Sequence, residues 1–321
     1  MGFNSYAMSK VCTIPAFSSD FKVSVIGCGN VGAAAAYAML IDGTPAEVVL
    51  VDRKIEKAQA LALDFEHSMA FYDNTKVTAS DDYAACADSS IIVITAGARQ
   101  KEGETRLDLV AKNKAIFAEI IPALAKAAPN SILVIVSNPV DVLTYEAVKL
   151  SGFPENRVFG TGTMLDTARF KFHLSEKLCM SPHSVNAFIL GEHGDTSFPA
   201  LSSANVAGVP LLEMEHMCEG DAETCYSDTR NAAYDIIKGM GYTCYSIGIV
   251  IREIMSHIYH HSKVVLPLSV VLHDYYGHSD VALSVPCILD STGVAEQIKL
   301  PLNQKEQEQL SKSVETLKSY L

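Results

Sequence analysis

A chain of 321 residues is long enough for one large domain or two ordinary ones, each with its own apolar core. With 49% of residues apolar and 19% charged, a disordered or low-complexity chain is excluded. The formal net charge of −12 speaks against nucleic acid as a partner, because an acidic surface repels phosphate, yet a local arginine cluster still permits a small anionic ligand.

The first twenty residues carry no usable pattern and no apolar core ahead of a small-residue cleavage site, so residues 1–20 are set apart as an N-terminal segment. No apolar run approaches the roughly 18 residues that cross a bilayer. Eight cysteines are scattered without a C-x-x-C pair. That usage suits free thiols in a reducing compartment, and the expectation is a cytoplasmic protein with no membrane partner and no metal.

Residues 22–27 form a short apolar run ending in glycine, and an alanine-rich helix is expected from Asn30 to Asp42. A second strand follows from Glu47 to Asp52, then a helix from about Lys54 to His67. The β-branched runs 89–95 and 131–137 read as strands buried on both faces, separated by a helix over Arg106 to Ala127. This alternation predicts a Rossmann-type, doubly wound parallel sheet over residues 21–150. The turn-rich Ser151-Gly152-Phe153-Pro154 marks a boundary, and residues 151–321 change character to an α+β domain. There the pattern predicts a helix over 163–178, a strand over 184–190, a long helix over 226–261 and alternating segments at 264–272, 281–289 and 294–300. Asn303 and Glu306 are spaced as a capping box for a final helix with Leu310, Val314, Leu317 and Leu321 on one face.

Gly27-Cys28-Gly29-Asn30-Val31-Gly32 is a G-x-G-x-x-G between a strand and a helix. Gly27 permits the tight turn, Gly29 lets a pyrophosphate approach the backbone, and Gly32 lets the helix pack closely. Asn30 and Val31 open that helix, whose N-terminal N–H groups face the phosphates. Asp52 ends the next strand, where a carboxylate accepts from both ribose hydroxyls and repels a 2′-phosphate, so the expected cofactor is NAD.

Four further motifs leave strand ends or open helices. They are Thr95-Ala96-Gly97-Ala98 leading to Arg106, Ser137-Asn138-Pro139, Leu165-Asp166-Thr167-Ala168-Arg169, and Gly191-Glu192-His193-Gly194-Asp195. Asp166 and Arg169 at i, i+3 share a helix face. Each alone has an ordinary structural reading, as a loop histidine, a surface ion pair or a solvated arginine. His260-His261 has no third ligand, and adjacent helical side chains diverge.

From about residue 21 to its end, the chain resembles the L-lactate/malate dehydrogenase family, with all five motifs in family order. The resemblance implies a carbonyl reduction in which His193 exchanges a proton with the substrate oxygen. Asp166 orients that histidine and favours its imidazolium. Arg169 holds the substrate carboxylate with a two-point fork, and Arg106 stabilises charge on the carbonyl oxygen. Asn138 touches both carbonyl and nicotinamide, Thr243 lines the substrate pocket, and Ile247 presses the nicotinamide ring. Ala96, Gly97, Arg99 and Val136 join the cofactor's neighbours. Gly97 and Gly103 flank a stretch that the resemblance makes a closing lid.

Gln100 occupies the place where malate-specific members carry arginine for a second carboxylate. A neutral residue there implies the lactate-specific branch, reversible hydride transfer between NADH and pyruvate to give L-lactate. A malate or branched 2-hydroxy acid dehydrogenase is the nearest alternative; an NAD-dependent glycosidase and a purely structural protein are more distant. The resemblance also implies a homotetramer or homodimer. Many bacterial lactate-specific members are activated by fructose 1,6-bisphosphate at a basic residue and a histidine. Here those places hold Lys171 and Asn186, so weak or absent activation is expected.

Overall fold

The computed structural model describes residues 21–71, 75–99 and 103–321. Six parallel strands build the first half: Lys22–Ile26 (β1), Glu47–Val51 (β2), Lys76–Ser80 (β3), Ile91–Ile94 (β4), Ile132–Ile135 (β5) and Val158–Gly160 (β6). Between them run the helices Asn30–Asp42 (α1), Ile55–Glu66 (α2), Arg106–Ala127 (α3) and Val140–Ser151 (α4). The strands lie in the order β3-β2-β1-β4-β5-β6, a doubly wound sheet whose growth reverses between β1 and β4. Reversal opens a crevice outside the strands' carboxyl ends, where open α/β sheets take their ligands. Every residue of β4 and β5 is buried, as β-branched runs covered by helices on both faces require.

The second half contributes Met164–Leu178 (α5), the short strands Val185–Asn186 (β7), Ile189–Leu190 (β8), Phe198–Pro199 (β9), Asn205–Val206 (β10) and Val209–Pro210 (β11), then Glu219–Met240 (α6) and Tyr245–Tyr259 (α7). It closes with Val264–Val271 (β12), Ala282–Asp290 (β13), Gly293–Gln297 (β14) and Gln304–Lys318 (α8). β12 pairs antiparallel with β6, so β12, β13 and β14 extend the parallel sheet to nine strands among the described residues. One continuous apolar cluster therefore joins β1, β2 and β4 to α7, β12 and β13.

Several elements differ from the sequence-based expectation. The strand expected over 184–190 is two strands in separate sheets, β7 against β10 and β8 against β9. The Thr167 hydroxyl takes the Ile189 N–H at 2.9 Å where the chain changes partner. The long helix expected over 226–261 is broken into α6 and α7. Gly241, at φ +81, closes α6 with its N–H on Ile237 O at 2.7 Å, a left-handed cap that ends a helix although the apolar pattern continues. α6 also starts earlier, where Cys218 and Asp221 form reciprocal capping bonds.

β3, β6 and α4 have no counterpart in the pattern. β3 is an edge strand with one buried residue, Val77, and β6 has only three residues. In α4 residues 140–144 are all buried, which erases the 3.6-residue period. The Asn303–Glu306 capping box forms as its spacing predicts, at 2.9 and 3.0 Å. Leu310, Val314 and Leu317 are buried, but Leu321 lies past the helix end and is exposed, so it does not share that face.

Candidate active site

The glycine turn is shaped by contacts that no side chain fits. Gly27 has φ +97, and a Cβ there would sit 2.9 Å from the Ala96 backbone. A Cβ on Gly32 would lie 2.0 Å from Gly27 O, so α1 approaches the turn this closely only with glycine. Gly29 is different: a Cβ there would meet nothing within 4 Å, which leaves space over the N-terminus of α1. Asn30 and Val31 open that helix and leave backbone N–H groups without intrahelical acceptors.

Asp52 accepts the Cys28 N–H at 2.8 Å and the Lys54 N–H at 3.0 Å, holding its carboxylate beside the turn. An open cradle, a helix N-terminus and a neighbouring carboxylate fit the pyrophosphate and ribose of a dinucleotide.

Two loops close the crevice beside it. After β4 run Ala96, Gly97 and the exposed Arg99; after β5 run Val136 and Asn138. The Ser137 hydroxyl donates to Ala96 O at 2.7 Å. Asn113, buried on α3, accepts the Ala98 N–H at 2.7 Å and donates to Ala98 O at 3.2 Å and Asn138 O at 2.6 Å. One amide thus ties both loops together. It was not singled out from the sequence, where an asparagine in mid-helix has no distinguishing mark. Gln100 lies outside the described residues, and so does the middle of the lid stretch it belongs to.

α5 brings its first turn to the crevice. Asp166 accepts from Arg169 Nη1 at 3.1 Å through one oxygen and meets His193 Nδ1 at 2.5 Å through the other. His193 follows β8 through Gly191, which has φ +88 and exchanges backbone bonds with Ser284 at 3.0 and 2.9 Å. A neighbouring carboxylate favours the charged ring: the charge of Asp166 raises His193 to about 9 against the opposing pull of burial. Burial works to raise Asp166, but His193 and Arg169 outweigh it and hold the carboxyl below its ordinary value.

Arg106 begins α3 and reaches the same loop from another side. It pairs with the buried Glu192, lies 3.9 Å from Asp195 and sits over the Tyr320 ring at 5.6 Å. It is joined to the residue before His193, and no bond links it to Asp166 or Arg169. Thr243 is half-buried between α6 and α7, and Ile247, in the first turn of α7, packs against the main core. Burial raises the Cys244 thiol, and the charge of Arg99 acts on it in the opposite sense.

Asp141, two residues past the Ser137-Asn138-Pro139 motif, and Glu192, inside the Gly191–Asp195 motif, are buried carboxylates that the sequence did not mark. Asp141 accepts the His193 N–H at 2.7 Å, and Glu192 accepts the Thr196 hydroxyl at 2.5 Å. Among the described residues no group of three or more histidine, cysteine or carboxylate side chains could hold a metal ion. No helix of the described residues is long and apolar enough to cross a membrane.

Residues 21–160 match the family model for the lactate/malate dehydrogenase NAD binding domain, and residues 163–321 match that for the lactate/malate dehydrogenase alpha/beta C-terminal domain. The chain is 43% identical over 305 residues to the L-lactate dehydrogenase of Acetivibrio thermocellus, covering 94% of this chain and 96% of that protein. It is 44% identical over 305 residues to the L-lactate dehydrogenase A chain of Champsocephalus gunnari, covering 93% and 92%. The minor L-lactate dehydrogenase of Enterococcus mundtii, solved in a ligand-bound form, superposes with a TM-score of 0.90 at 40% identity, over 94% of this chain and 98% of that one. A crevice at the reversal of a 3-2-1-4-5-6 sheet, a histidine seated on a carboxylate, and two family models spanning residues 21–321 with a two-residue gap lead to one assignment: this chain belongs to the lactate/malate dehydrogenase family.

Proposed function

We propose that the chain is an NAD-dependent L-lactate dehydrogenase, interconverting pyruvate and L-lactate. The observation that carries this reading is the linked set Arg169–Asp166–His193 at the mouth of the dinucleotide crevice. The relatives and structural neighbours named above are all L-lactate dehydrogenases, which supports lactate over malate chemistry.

Bound NAD supplies the hydride acceptor or donor. His193 Nδ1 is committed to Asp166, so Nε2 is the nitrogen free to give a proton to the carbonyl oxygen of pyruvate or take it from the hydroxyl of lactate. Arg169, steadied by Asp166, holds the substrate carboxylate through its fork. Arg106 leaves Glu192 to stabilise the oxygen as charge grows on it. Asn138 and Thr243 would serve the substrate and Ile247 the nicotinamide, and the neutral Gln100 would favour a substrate with a methyl group over one with a second carboxylate. Gly27, Gly29, Asn30, Val31, Gly32, Asp52, Ala96, Gly97, Arg99 and Val136 hold the cofactor.

In the wider reading, residues 21–150 form the nucleotide-binding domain and residues 151–321 the substrate domain. The enzyme works in the cytoplasm as a homotetramer or homodimer, regenerating NAD in glycolysis or fermentation. The test compares NADH oxidation with pyruvate, oxaloacetate and a branched 2-keto acid. Pyruvate is expected to be turned over best, and His193→Asn to lose about 10²–10⁴-fold of that turnover while binding NADH as before. Preference for oxaloacetate, or near-normal turnover in the variant, would refute the reading.

A further inference from the structure

Behind His193 lies a carboxylate to which the mechanism above gives no part. Asp141 sits in the first turn of α4, just after the Asn138–Pro139 corner, and is 2% exposed. One oxygen accepts the His193 backbone N–H at 2.7 Å, and the other accepts the Ser269 hydroxyl of β12 at 2.6 Å. Burying a carboxylate is costly unless its charge and lone pairs are met. Compensation here is incomplete: burial raises the Asp141 carboxyl to about 6, against hydrogen bonds from Ser269 and His193 that favour the ion.

A neutral asparagine could accept the same N–H without that cost, so loop anchoring alone does not account for an acid in this place. The strongest charges acting on Asp141 come from the His193 ring and, in the opposite sense, from Glu192, which is itself held by Arg106 and Thr196. β12 offers it a hydroxyl, and Lys114 of α3 is taken by Glu146 farther along α4. The ring in turn feels Asp166, Asp141 and Arg169.

We infer that Asp141 is a positioning residue for the proton donor: it pins the backbone of the Gly191–Asp195 loop so that the imidazole meets Asp166, and its charge joins that of Asp166 in sustaining the imidazolium. The inference rests on the reading of His193 as proton donor. Two carboxylates around one imidazole, one on the ring and one on the backbone, set both where the ring lies and how tightly it keeps its proton.

The test is the pH profile of kcat/KM for pyruvate in wild type, Asp141→Asn and Ser269→Ala. Asparagine keeps the shape and removes the charge. The alkaline limb of Asp141→Asn should move down by about half a pH unit or more, so that the loss near pH 9 exceeds any loss near pH 6.5 by about twofold or more. Ser269→Ala keeps the charge, so its limb should stay at the wild-type position. A loss in Asp141→Asn that is equal at every pH, or a limb that does not move, overturns the charge role.

A second measurement needs no variant at position 141. In wild-type enzyme with 13C-labelled histidine, the His193 signal, identified by its absence in His193→Asn, should inflect between about pH 5 and 7, where the ring is already protonated and a neighbouring carboxyl titrates. A flat signal over that range overturns the proposal. Wild-type enzyme inert towards pyruvate would instead bring down the functional reading on which it rests.

Discussion

Replacing Asp166 by asparagine isolates what one carboxylate does for the proposed proton donor. In the folded protein the charge and hydrogen bond of Asp166 carry His193 from 6.5 to about 9. The His193 side chain is 29% exposed, so solvent screens this interaction only in part, and the difference corresponds to about 3 kcal/mol favouring the imidazolium. Without Asp166 the remaining influences are burial and Arg169, both lowering, and Asp141, raising. The ring should then titrate near or below about 6.5.

At pH 7.5 nearly all wild-type His193 carries the proton that pyruvate reduction consumes, against about a tenth in Asp166→Asn. Protonation alone therefore predicts roughly a tenfold loss of kcat/KM for pyruvate at that pH, with a further loss from the freed ring orientation. Lactate oxidation needs the neutral ring, so its acidic limb should move down by the same interval. Stability follows the same linkage. The folded value lies above the unfolded one, so the pair's stabilisation is complete below about pH 6.5 and is lost as pH rises through about 9. The assay is steady-state NADH oxidation and NAD reduction from pH 5 to 10 in both enzymes. Coincident limbs in wild type and variant would refute the reasoning.

Three other outcomes are expected. Arg169→Lys should weaken pyruvate binding about 10–100-fold by replacing a planar fork with one contact, with NADH affinity unchanged; unchanged KM for pyruvate would mean the carboxylate is held elsewhere. Gln100→Arg should gain oxaloacetate turnover as it loses pyruvate turnover, and loss without gain would assign specificity to other residues. Millimolar fructose 1,6-bisphosphate should leave the pyruvate saturation curve nearly unchanged, because Lys171 is a half-buried single cation and the Asn186 amide, uncharged, bonds Asn205 at 3.3 Å; a large fall in half-saturation refutes this.

Much of this molecule is written locally. The glycine turn, the alternation of apolar runs with helices, and the Asn303–Glu306 cap depend on backbone freedom, periodicity and spacing over a few residues, which a sequence displays directly. The i, i+3 pairing of Asp166 with Arg169 is likewise a property of one helix face, and forms at 3.1 Å. Tertiary structure decided whatever depends on partners distant along the chain. Residues 185–190 split between two sheets because different strands claim their backbone bonds. α6 and α7 separate at a left-handed glycine that hydrophobicity does not register. Asn113 ties two loops, and Asp141 lies beneath a histidine 52 positions away. A buried polar side chain takes its meaning from the groups that satisfy it, and those are assembled only when the chain has folded.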